Sequence, residues 1–143
     1  MKINQAGIDL IKQFEGCKST SYQDSVGVWT IGYGATGDDI VAGLTWTPEQ
    51  IDDRLHQDLA RFEEGVQNLL SNPDVNENQF SSLVCFSYNL GLQSLAKSHL
   101  LIYTNSGHYI AASLQFAKWD MAGGVVLPGL VKRRLAEKEL YCS

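Results

Sequence analysis

The chain has 143 residues, 44% of them hydrophobic and 19% charged, with a formal net charge of −5. That is the make-up of a globular domain long enough to bury one core, and no apolar run approaches the roughly 18 residues of a membrane span. The acidic balance argues against a general nucleic-acid binder, which needs a basic face to displace counterions.

Taken in chain order, "MKINQAGIDLIKQF" spaces its apolar residues instead of running them together as a secretory leader does. The expectation is a cytoplasmic product with no signal peptide or signal anchor. The same spacing predicts a helix capped by Asn4, with Ile8, Leu10, Ile11 and Phe14 inward, and Gly16 as its C-terminal glycine. Glu15 then falls in the last helical turn. "VGVWTIGYG" is β-branched and aromatic and is punctuated by glycines, which predicts one or two hairpins. Those glycines lack the third position of a dinucleotide fingerprint and no helix opens after them, so they read as turn and close-approach glycines.

The strongest helix signal is "TPEQIDDRLHQDLARFEEGVQNLL". Thr47 is the N-cap, Pro48 suits the first turn, and Gln50 completes a capping box. Ile51, Leu55, Leu59, Phe62, Val66 and Leu69 form one stripe along a helix of roughly 23 residues, ~35 Å long. Asn76 and Gln79 cap a mostly apolar helix, "FSSLVCFSYNLG", ending at Gly91. Further helices are expected over 98–105 and 108–119. "MAGGVVLPG" reads as a loop, followed by a last helix over 130–141, where Lys132, Arg133 and Arg134 meet Glu137, Lys138 and Glu139 as surface ion pairs. The three cysteines (Cys17, Cys85, Cys142) have no C-x-x-C spacing and His56, His99 and His108 no zinc-type spacing, so free thiols and neither metal nor cofactor are expected. The sum is an α+β chain: a small β-bearing lobe at about 12–46, a connecting helix at about 47–70, and a helical lobe at about 71–143 on which the first helix packs.

Glu15 and Asp24 are the acids with a chemical profile. Glycosidic cleavage needs a proton for the leaving oxygen and an activated nucleophile, commonly from two carboxyls in different environments. The negative end of a helix dipole and apolar Phe14 would favour the protonated form of Glu15. Asp24 lies in polar "TSYQDSVG", which favours the ionised form, and Thr30 could hold a water. The spacing of nine is by itself a weak signal, and two solvated surface acids are the ordinary reading of it.

"FEG…YQDSVGVWTIGYGATG" resembles the active-site signature of the phage-type lysozymes or endolysins (glycoside hydrolase family 24): a Glu, eight residues, an Asp, five residues, and a Thr opening "T-I-G-x-G". "SSLVCFSYNLG", "SHLL" and "FAKWDMAGG…GLVKRRLAEKELY" follow in the family's order. The resemblance implies a single two-lobe lysozyme domain over 1–143. It implies a muramidase cutting the β-1,4 bond between N-acetylmuramic acid and N-acetylglucosamine, with inversion, for host lysis at the end of a phage cycle. Glu15 would be the general acid, Asp24 and Thr30 would activate water, and Thr36 and Tyr88 would touch sugar. The implied partner is bacterial peptidoglycan, reached by a monomer with no stable membrane association once the membrane is breached. A non-catalytic wall-binding module is disfavoured because Glu, Asp and Thr are all present, and an interaction domain because no large apolar patch stands out. A chitinase-like glycosidase is the nearest enzymatic alternative. Ala35 stands where the family usually has His, and His99 where it often has Thr. The negative charge implies wall binding that depends on close contacts more than on long-range steering.

Overall fold

The computed structural model describes all 143 residues. Seven α-helices and two short antiparallel hairpins make the α+β class expected: α1 (Gln5–Glu15), β1 (Lys18–Gln23), β2 (Trp29–Gly32), α2 (Pro48–Leu69), α3 (Glu77–Leu90), α4 (Leu92–Ala96), α5 (His99–Asn105), α6 (Tyr109–Ser113), β3 (Met121–Ala122), β4 (Val125–Val126) and α7 (Pro128–Cys142). No helix is long and apolar enough to cross a membrane. The chain forms two compact units, one of residues 11–61 and one of residues 1–10 with 62–143, so α1 and α2 each contribute to both.

The unit of residues 11–61 is built on the β1–β2 hairpin. Tyr22 pairs with Thr30 and Gln23 with Trp29, and a bulge separates these from the Lys18–Gly32 pair. The far edge of β1 is covered by residues 44–46, through Ser21 N–H to Leu44 O at 2.9 Å and Trp46 N–H to Ser19 O at 2.8 Å. Pairing on both sides accounts for a strand the composition of "KSTSYQ" hides: its side chains are polar and mostly exposed, so backbone bonds hold it. Ile31, Ala35 and Ile40 form a small core closed by Trp29, Leu44 and Trp46. Ile51, Leu55 and Leu59 of α2 are buried, as the stripe predicts. The capping box is present, with Thr47 N–H to Gln50 Oε1 at 2.8 Å and Gln50 N–H to Thr47 Oγ1 at 3.2 Å.

In the other unit α3 is the central element. Asn76 and Gln79 cap it reciprocally, and Phe80, Leu83, Val84, Cys85 and Phe86 are fully buried. Ser98, which the sequence reading took as part of the helix, caps α5 through its hydroxyl. Phe86 meets Phe116 and Trp119 edge-on at 5.9 and 5.4 Å, which makes Trp119 a packing residue. The Tyr141 and Thr104 hydroxyls lie 2.7 Å apart in the same core, where burial pushes the Tyr141 phenol up to about 12.

Five readings need correction here. The helix over 108–119 is broken into α6 and a 3₁₀ turn at Phe116–Lys118, since the backbone tightens at Leu114 and Gln115 and leaves Leu114 exposed. "MAGGVVLPG" is not a loop throughout: Gly123 and Gly124, at φ +59° and +80°, make the two-residue turn that pairs β3 with β4. The last helix begins two residues early, with Pro128 in its first turn. Arg133, Arg134 and Glu137 are not a helix surface but are 3%, 1% and 0% exposed. Their spacing does pair them, at 3.2 and 3.1 Å to the Glu137 carboxylate, but on the face of α7 turned to α3. There Arg133 reaches Cys85 O at 3.2 Å, Arg134 reaches Asn89 and lies 5.2 Å over the Phe86 ring, and Ser82 donates to Glu137 O. Finally, Met121, Val125, Val126, Leu127, Val131 and Leu135 are exposed, a run of apolar side chains that the sequence does not announce as surface.

Candidate active site

Glu15 closes α1. Gly16 takes φ +67°, and its N–H returns to Lys12 O at 3.1 Å, so the helix stops there and the chain turns into β1. The Glu15 side chain is half-buried. Its position is defined by Gly34: a methyl group on that glycine would lie 2.5 Å from Glu15 Oε2 and 3.2 Å from its carboxyl carbon. The carboxyl group is therefore seated on the bare Cα of Gly34, whose φ of +78° also favours glycine. The tight turn that presents Gly34 is locked by the mutual Ile31–Ala35 backbone bonds, 3.0 and 2.8 Å. "TIGYG" thus supplies both the strand end and the seat.

Asp24 follows β1 directly and organises the hairpin loop. Its Oδ1 accepts from the N–H groups of Val26 and Val28, each at 2.9 Å, and its carbonyl accepts from Gly27 N–H at 3.0 Å. Two backbone donors on one oxygen fix the carboxylate while the residue stays exposed. Thr30 is 5% exposed on β2, and its hydroxyl donates to Val28 O at 2.9 Å. With its proton committed, that oxygen keeps acceptor capacity.

Tyr22, which the sequence reading passed over, ties these groups together. Its phenol is pushed up by burial and then by the negative charges of Glu15 and Asp24. Both carboxylates act on one hydroxyl, so Glu15, Asp24 and Thr30, the cross-strand partner of Tyr22, share one neighbourhood. Cross-strand register, counted from Thr30 through the Asp24 loop, is the signal that could have found it.

The two remaining residues are placed differently. Thr36 is exposed just beyond the glycine turn, and its carbonyl accepts from Arg54 Nη2 at 2.7 Å. Arg54 also binds Asp39 at 2.7 Å and Asp58 at 3.2 Å, which pins this loop to α2. Tyr88 belongs to the other unit, half-buried with its ring 5.3 Å from Phe62. Ala35 offers no polar slot: its methyl is 4% exposed in the Ile31 and Ile40 cluster. His99 is exposed in the first turn of α5. Of the thiols, only Cys85 behaves as a buried small hydrophobe, donating to Gly7 O at 3.2 Å, whereas Cys17 and Cys142 are exposed.

A model of the phage lysozyme family matches residues 12–137. The endolysin of Bacillus phage B103 is 43% identical over 145 aligned residues, covering all of this chain and 55% of that protein. The chain thus spans about half the length of the Bacillus phage endolysins it matches. The endolysin of Acyrthosiphon pisum secondary endosymbiont phage 1 is 36% identical and is covered over 99% of its length. Among solved structures, the muramidase domain of SpmX from Asticaccaulis excentricus superposes with a TM-score of 0.91 at 36% identity, covering 99% of this chain and 98% of that one.

Proposed function

The chain belongs to the phage lysozyme family, and from that premise we propose that it is a muramidase acting on bacterial peptidoglycan, for host lysis at the end of a phage cycle. The bond cut is the β-1,4 link between N-acetylmuramic acid and N-acetylglucosamine. Glu15 gives its proton to the glycosidic oxygen as the bond to the anomeric carbon breaks. Asp24 takes a proton from the attacking water, and Thr30 holds that water through its free lone pair. The water adds from the opposite face, so the new hemiacetal has inverted configuration. This division of labour requires the two carboxyls to stand ~6.5–9.5 Å apart, leaving room for one water. Thr36 and Tyr88 contribute sugar contacts, and the enzyme works as a monomer on a polymeric wall without lasting membrane attachment.

The observation that carries the reading is the seat of Glu15 on Gly34: a half-buried carboxyl held by backbone in the unit that also holds Asp24 and Thr30. Preorganised placement of this kind is what general-acid catalysis needs. The test is product analysis on two polymers. Purified peptidoglycan should yield muropeptides with a reducing N-acetylmuramic acid end, initially in the inverted anomeric form by NMR, and chitin should be cut far more slowly. Reducing N-acetylglucosamine ends, or equal action on chitin, would replace the muramidase reading with a chitinase-like one.

A further inference from the structure

Tyr22 stands where the chemistry converges, yet the division of labour above gives it no task. It pairs directly across the hairpin with Thr30, which puts both side chains on one face of the sheet. Asp24 follows the end of β1 directly, and its charge acts on the same phenol. The ring is 36% exposed, so one edge meets solvent, and its hydroxyl carries no protein hydrogen bond. Burial, and then the negative neighbours, disfavour loss of its proton, so the phenol is a donor throughout the neutral range.

We propose that Tyr22 is a further catalytic residue, donating a hydrogen bond from its phenol to a hydroxyl or acetamido oxygen of the N-acetylhexosamine held beside Glu15, Asp24 and Thr30. The inference rests on the muramidase reading. Glu15 spends its proton on the glycosidic oxygen, Asp24 accepts one from water, and Thr30 has committed its own to Val28 O. That leaves the phenol as the donor this face can offer to another sugar oxygen. Contacts to the reacting ring that strengthen as it distorts are a recognised source of rate in glycoside cleavage.

The test is Tyr22→Phe in the full chain, assayed by muropeptide release with kcat and KM separated, with Tyr103→Phe on α5, a phenol of the other compact unit, as the control. The ring stays, so packing and melting temperature should be unchanged. The expected result is a fall in kcat/KM of about 10-fold, the size of one hydrogen bond, with the pH optimum unmoved and Tyr103→Phe equal to the parent. A structural role would instead lower the melting temperature or move the pH optimum by disturbing the carboxylates. Either of those, or a Tyr22→Phe enzyme equal to an active parent, overturns the inference and leaves the muramidase reading standing. A parent that releases no muropeptides removes that reading, and the inference with it.

Discussion

Replacing Gly34 by alanine separates a glycine needed for its backbone angle from one needed for the space it leaves. The new methyl carbon would lie 2.5 Å from Glu15 Oε2, so the oxygen must retreat by roughly 0.9 Å or more to restore ordinary contact. Displacements of about 1 Å at a reacting group cost on the order of 100-fold in rate, so a loss of about 10- to 100-fold in wall clearing is expected. A second cost is conformational, because an L-residue at φ +78° loses roughly 1–2 kcal/mol of stability. Gly43→Ala isolates that term, since Gly43 has φ +76° and no atom within 4 Å of the added methyl. Both variants should melt at similarly lowered temperatures, and only Gly34→Ala should lose activity when compared at equal folded fraction. Full clearing by Gly34→Ala, or an equal loss in Gly43→Ala, would refute the claim that Gly34 seats the acid.

Glu137→Ala leaves the buried guanidinium groups of Arg133 and Arg134 without their carboxylate, and should cost about 3–5 kcal/mol by chemical denaturation; a cost under about 1 kcal/mol would mean water enters the cluster. Ala35→His forces a polar ring toward the Ile31 and Ile40 cluster, and should lower stability by about 1–3 kcal/mol while the folded fraction keeps its activity; abolished turnover in folded protein would show that position 35 belongs to the chemistry.

How far the sequence is legible depends on how local the determinants are. The caps at Asn4, Thr47 and Asn76 are side chains bonding to backbone three residues on, and the structure realises each where it was read. The α2 stripe is equally local, because a single buried face repeats along it. Tertiary context decides the rest. β1 carries no hydrophobic alternation and exists because β2 and residues 44–46 pair with its two edges. α7 hides its orientation, since Arg133, Arg134 and Glu137 are inside while Val131 and Leu135 are outside, the reverse of what composition suggests. In the candidate site, Glu15, Asp24 and Thr30 are picked out by the motif's resemblance to a family signature, because their spacing alone is a weak signal. Tyr22 needs strand register, and the specific task of Gly34 needs the distance to Glu15.

The central claim is that Glu15 is the proton donor, and Glu15→Gln tests it most directly because it keeps the shape and removes the acid. Parent and variant should be compared by turbidity loss of outer-membrane-permeabilised Gram-negative cells, with melting temperatures measured in parallel. The account predicts clearing by the parent and a drop of at least ~100-fold in the variant at an unchanged or higher melting temperature. Equal clearing by Glu15→Gln, or a parent that binds walls without clearing them, would contradict it.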